Sequence, residues 1–320
     1  MNPKILTTST LTAALLAACA SACDFCGCEL PLITLQDRKG WYAGAAEQAT
    51  RFGTLQSNGH DISDPDHQYL HSSNTQIFVG YDFGHTFGVQ INVPLITRSY
   101  RRAEGDGIQK GNVSGFGDVS LLAHWTPLHF EKSDFLLTGR VVAGIQFPTG
   151  DSNQVLEEAN ESEDEEGEGS VPSGIHGHDL ALGTGSVNGI FGADIHAQWK
   201  RVFLDAGVQF ALRGQGRNEY DFANDLGWYA GLGVVAFEKN DLNFAIKARF
   251  SGDTKGEDTF RGVRSDDTAS TVVWLGPEVV ATWRDRVSVD VGVAFPIYRD
   301  NTGVQTVADI RVQAGVTIQF

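Results

Sequence analysis

Beyond Cys28 this 320-residue chain has no cysteine, so no disulfide can staple its body. After the first 22 residues there is no continuous apolar run of the ~18 positions a membrane helix needs, which excludes a helical membrane protein. Basic side chains are also scarce. Against 40 Asp and Glu stand 24 Lys and Arg, a formal charge of −16, whereas a nucleic-acid partner calls for a basic footprint. No Gly-x-x-x-x-Gly-Lys-Ser/Thr phosphate loop occurs, so no ATP site is expected. Covalent haem attachment is not expected, because Gly27, not His, follows Cys26.

The chain is rich in glycine, 37 of 320 residues or about 12%, against a usual ~7%. Nineteen Phe, seven Tyr and six Trp accompany it, a composition of strands and turns and not of a helix bundle. The acid excess is concentrated: ten acids and no Lys or Arg lie between Pro148 and Gly183, leaving −6 on the remainder. Glu157, Glu158, Glu161, Glu163, Asp164, Glu165, Glu166 and Glu168 repel one another too strongly to fold against a core. Residues 148–183 therefore read as an acidic, disordered, solvated loop.

Residues 1–22 have a basic start at Lys4, an apolar stretch from Leu11 to Ala18 and a small-residue ending at Ala20-Ser21-Ala22, the features of a secretory signal. A lipoprotein box, Leu16-Ala17-Ala18-Cys19, competes with cleavage after Ala22. With cleavage after Ala22, residues 23–40 form a periplasmic segment opening on Cys23, Cys26 and Cys28. Those thiols suit either one disulfide with a spare thiol or a soft metal such as Cu(I) or Zn(II).

From Trp41 to Phe320 the dominant period is two, that of a strand with one apolar face. Val287, Val289, Val291, Val293 and Phe295 alternate with polar or small residues, and so do Ala308, Ile310, Val312, Ala314, Val316, Ile318 and Phe320. About twelve strands result, near 41–54, 73–83, 86–101, 115–127, 134–147, 184–199, 201–213, 223–238, 242–253, 269–284, 286–299 and 306–320. Ten or fourteen are the neighbouring even counts. Short turns at 84–85, 128–133, 200, 239–241 and 285 alternate with mostly longer loops at 55–72, 102–114, 148–183, 214–222, 254–268 and 300–305. That asymmetry, with Trp125, Phe147, Trp199, Phe237, Trp283, Tyr298 and Phe320 near strand ends, predicts an all-β fold. Its form is a single antiparallel transmembrane β-barrel with long extracellular loops, in an outer membrane of Gram-negative type. A soluble β-sandwich also alternates, but joins its strands with loops of similar size at both ends.

Phe320, ending an alternating strand, resembles the C-terminal signal read by barrel-assembly machinery. The stretches Gly115-Phe116-Gly117-Asp118-Val119-Ser120-Leu121, Phe147-Pro148-Thr149-Gly150-Asp151-Ser152 and Leu182-Gly183-Thr184-Gly185-Ser186 resemble the outer-membrane transporters named for the meta-pathway of phenol degradation. The likeness spans about 75–320. It implies a porin-like channel for small, including aromatic, solutes, with outer-membrane lipid and the assembly machinery as partners.

With the apolar residues on lipid, the inward set includes Asp82, Arg98, Asp118, His124, Arg140, Asp194, His196 and Asp205. It continues with Arg213, Lys247, Arg249, Glu278, Asp290, Asp309 and Arg311. Similar numbers of both signs fit either a charge-lined channel or a lumen closed by ion pairs. No enzyme is expected. Ser120 and His124 are ~13 Å apart along a strand, and no nucleophile adjoins Asp194 and His196 in sequence. In the loops, His60, Asp61, Asp64, Asp66, His67 and His71 form one set of metal-ligand types, and His176, His178 and Asp179 another. No cofactor is required, although a divalent or soft metal is admissible. The expected function is passive passage of small solutes. The alternative is a largely closed barrel whose thiols and His-rich, acidic loops handle metal or bind a partner.

Overall fold

A strand with one apolar and one polar face can cross lipid only if its backbone groups are paired on both sides, which forces a closed sheet. The computed structural model describes residues 39–84, 86–105, 107–156, 172–239 and 241–320, together with the backbone of Ala18–Cys19 paired to Pro31–Leu32. Those four residues aside, the signal peptide and the thiols Cys23, Cys26 and Cys28 lie outside the described residues, as does the acidic run 157–171.

Twelve antiparallel strands form the wall among the described residues. They are β1 (Gly40–Ser57), β2 (Tyr69–Asp82), β3 (Phe87–Glu104), β4 in two pieces (Gly107–Phe116 and Ser120–Lys132), β5 (Phe135–Gln146) and β6 (Asn188–Trp199). There follow β7 (Val202–Leu212), β8 (Asp225–Lys239), β9 (Leu242–Lys255), β10 (Ser270–Trp283), β11 (Val287–Asn301) and β12 (Val304–Gln319). Each pairs with the next, and β12 returns to β1 from Val304↔Ser57 to Gln319↔Tyr42, so the sheet has no edge. No helix among the described residues is long and apolar enough to cross a membrane.

The outward side chains are apolar. Ile77, Ile91, Val141, Leu204, Leu232, Val291 and Val316 are all exposed, while the alternate positions Gln48, Asn92, Arg140, Asp194, Lys247 and Arg311 are buried inside. A water-soluble barrel has the reverse arrangement. Aromatic rings band the end where the turns are short. Trp41, Phe83, Phe87, Trp125, Trp199, Trp283 and Phe320 are exposed there, with Lys200 over Trp199 at 5.4 Å and Arg284 over Trp283 at 4.8 Å. The turns are tight. Ser133, Lys200, Arg284 and Asp285 have φ of 50°, 54°, 52° and 50°, the left-handed geometry that matches hairpin twist.

Four sequence expectations need correction. Residues 102–114 are mostly not a loop, because β3 and the first piece of β4 continue the ladder to Glu104↔Gly107. β11 and β12 likewise run on until a tight turn at Thr302-Gly303 replaces the loop expected at 300–305. β6 begins at Asn188 and not at 184, and residues 174–186 before it are buried. Finally, β12 carries a bulge around Ala308–Ile310, and this extra residue reverses the facing pattern. Ala308 therefore points to the core with Phe52 and Leu70, instead of toward lipid.

Candidate functional site

The barrel interior is polar and divided by chemistry. Across β12 and β1–β4 run hydrogen bonds between amides and hydroxyls, beside the inward charges of those strands. Gln313 donates to Gln48 at 2.6 Å, Tyr42 donates to Gln90 at 3.0 Å, Gln90 donates to Asn92 at 2.6 Å, and Asn92 donates to Ser120 at 3.2 Å. From β5 to β10 it carries charges in facing pairs. Arg140 meets Asp194 at 2.9 Å, and His196 Nδ1 meets Asp205 at 2.5 Å. Lys247 lies 2.8 Å from Glu278 and 3.7 Å from Asp205, and Arg249 lies 3.5 Å from Glu278 and stacks over Tyr229 at 4.7 Å. Strand register explains the pairing. Arg140↔Asp194, His196↔Asp205 and Lys247↔Glu278 are each directly opposite across a ladder.

The remaining inward candidates sit nearer the ends. Asp82 and His124 are 3.0 Å apart toward the short turns. Arg213 pairs with Asp225 and donates to Gln146 at 3.0 Å. Arg311 donates to Asp253 at 2.9 Å and lies 4.1 Å over the Trp274 ring, whose indole N–H also donates to Asp253 at 2.9 Å. Asp290 is buried against Gly315. Asp309 departs from this group. At the β12 bulge it accepts from Thr54 at 2.7 Å and meets Arg299 at 3.4 Å, with its side chain 29% exposed. Asp225, Asp253 and Trp274 escaped the sequence reading, although Asp253 shares its parity with Lys247 and Arg249.

Arg98 and Asp118 hold something other than the wall. Residues 172–186 enter the barrel as a plug containing the short helix α1 (Gly177–Leu180). Fully buried Arg98 donates through Nη1 to the carbonyls of Asp179 and Ala181, both at 2.5 Å. Asp118, in the gap between the two pieces of β4, accepts from the Gly150 N–H at 2.9 Å and from both N–H and hydroxyl of Thr184 at 2.8 Å. It thereby clasps the neck where the loop leaves and rejoins the wall. Gln68 receives the Gly174 N–H at 3.0 Å and donates to Pro172 at 3.1 Å, while Thr306 N–H donates to Gly174 at 2.6 Å. Ile175 and Leu180 complete a core with Phe52, Leu70, Tyr100 and Trp274. The expectation of one solvated loop over 148–183 therefore fails for 172–183. The charge run stops at Glu168, and Ile175, Leu180 and Leu182 supply apolar surface that burial rewards.

In the plug, His176 and His178 stack at 5.5 Å, and His178 stacks in turn against Tyr220 at 6.3 Å. His178 Nε2 is 3.1 Å from Asp179, His176 Nδ1 is 3.9 Å from Asp179, and His176 Nε2 is 3.2 Å from Asp267. Burial opposes the charge of Asp179, but the two imidazoles and the His176 N–H outweigh it and hold its carboxyl below the ordinary carboxylate range. Among the described residues His176, His178 and Asp179 are the group of three metal-ligand types that comes together, and the first loop's His60, Asp61, Asp64, Asp66, His67 and His71 do not join it. His196 Nε2, the atom that would take a proton from a nucleophile, has no hydrogen-bond partner. Phe320 is 72% exposed, and its N–H donates to Trp41 at 2.9 Å.

No protein-family model matches the chain, and no curated protein matches it by sequence. Among solved structures it is similar to an outer membrane channel from Pseudomonas putida F1, with 14% identity, a TM-score of 0.63 and coverage of 88% of this chain and 96% of that one. The transport unit of the autotransporter AIDA-I from Escherichia coli aligns at 10% identity and a TM-score of 0.46, covering 91% and 93%. The beta domain of the Bordetella autotransporter Brka aligns at 12% identity and a TM-score of 0.45, covering 88% and 100%. At these identities the likeness to the Pseudomonas channel is one of fold, a closed antiparallel barrel spanning a membrane.

Proposed function

We propose that the protein is an outer-membrane channel for passive passage of small solutes, held shut at rest by residues 172–186. The observation that carries this reading is the plug. A segment of loop is drawn into a polar lumen and secured by hydrogen bonds and modest apolar contact, with its neck clasped by Asp118. A barrel whose purpose was purely structural could fill its interior with wall side chains alone. The outward apolar belt and the resemblance of Phe320 to an assembly signal support an outer-membrane location with lipid and assembly machinery as partners. Aromatic solutes are the proposed cargo class, on the family resemblance and on the Tyr42, Tyr229 and Trp274 rings among the inner groups.

The geometry offers a direct experiment. A Cβ on Gly150 would lie 2.9 Å from Gly183 Cα, so excising residues 151–182 joins two points already in contact. In planar bilayers the excised channel should conduct steadily while the intact chain opens rarely. If the excised protein inserts and stays silent, the ion-paired wall itself closes the lumen and the channel reading fails.

A further inference from the structure

The plug holds a cluster that solute passage does not require. We propose that His176, His178 and Asp179 form a binding site for a borderline divalent transition-metal ion, with zinc(II) as the reference ligand. Their ligand atoms lie within 4.8 Å of one another, and all three residues are buried. Three observations point to a metal. His176 is only 9% exposed, yet its Nδ1 has no hydrogen-bond partner. Its other nitrogen, Nε2, faces Asp267 at 3.2 Å, and donation there leaves the Nδ1 lone pair directed toward Asp179. This carboxylate–imidazole relay is the arrangement that orients metal-ligating histidines. The third observation is rigidity. Asp179 accepts the His176 N–H at 2.9 Å, and Arg98 grips the carbonyl of Asp179 at 2.5 Å, so the three ligands are positioned before any ion arrives.

The donor set selects the ion. Two imidazoles and one carboxylate suit zinc, and leave a fourth position for water or a solute. Calcium and magnesium need more oxygen ligands than the cluster offers. Because Asp267 belongs to the β9–β10 loop, the ion would tie that loop to the plug.

Full-length protein in detergent, stripped with chelator, is to be titrated with zinc by calorimetry and with cobalt(II) by absorption spectroscopy. One tight site is expected, with cobalt bands of nitrogen and oxygen ligation. His176→Ala with His178→Ala should weaken zinc binding about 100-fold or more, and Asp267→Asn about 10- to 100-fold, with the melting transition of the barrel retained. Equal zinc affinity in wild type and the double variant would overturn the site. So would a thiolate charge-transfer band, which would assign the metal to Cys23, Cys26 and Cys28. Should the double variant fail to fold, the wild-type cobalt spectrum decides, since absent bands reject the proposal. A silent bilayer would defeat the channel reading and leave this titration unaffected.

Discussion

Glu278 sits between two buried cations, 2.8 Å from Lys247 and 3.5 Å from Arg249. Removing one partner of such a buried set strands the others, a far larger loss than the net value of the set itself. Glu278→Ala should therefore destabilise the barrel by about 3–5 kcal/mol in urea-induced unfolding from vesicles, and Glu278→Gln by less, because the amide still accepts hydrogen bonds. An unchanged midpoint in the Ala variant would mean that water already solvates these charges. The glycine excess is also settled at this scale. A Cβ on Gly80 would lie 2.2 Å from the Tyr42 ring, and one on Gly207 2.5 Å from the Tyr229 ring. At these two positions glycine makes room for an inward ring on the neighbouring strand.

At the level of elements, residues 172–186 are held in the lumen by contacts of their own, from Arg98, Asp118 and the Ile175–Leu180 packing, and the proposed channel function makes each contact a test. A hydrogen bond from a charged donor contributes about 1.5–3 kcal/mol, and 1.4 kcal/mol is tenfold in an equilibrium. Arg98→Ala, which deletes the grip on Asp179 and Ala181, should raise the open probability in planar bilayers by about 10- to 100-fold. No change would show that Asp118, Gln68 and the Ile175–Leu180 packing hold the plug without it. The element was half legible. Ten acids without a counterion announced a loop, but segment charge conceals a short apolar stretch that follows it. Ile175 and Leu180 show their purpose once Phe52, Leu70 and Trp274, distant in sequence, surround them.

For the whole molecule, the controlling demand is that no backbone group face hydrocarbon unpaired. Val316 pairs with Ala45 across the closing seam and with Val289 on its other side. Val316→Pro removes a ladder donor on an interior strand and should abolish insertion into vesicles, read by flotation. Insertion at wild-type yield would contradict closure through β12 and β1. The lipid belt is testable by depth. Leu232, 61% exposed near the middle of β8, should cost about 2–4 kcal/mol when changed to Arg, whereas Phe237→Arg near the short turns should cost about 0–1 kcal/mol. Equal costs would place the membrane elsewhere on the wall.

By itself the sequence determined the wall. Side chains alternate faces with a fixed period of two, so a strand count of about twelve, the apolar outer face and the inward placement of Arg140, Asp194, Lys247 and Glu278 are all local properties of the chain. Only the tertiary structure decided which inward charges meet, because partners such as Arg311 and Asp253 depend on register and curvature summed over several strands. It also decided that β12 bulges at Asp309, shifting parity by one, and that the tail of an acidic loop turns inward to bring His176, His178 and Asp179 together with Asp267. Those contacts join residues tens to hundreds of positions apart, and no periodicity encodes them.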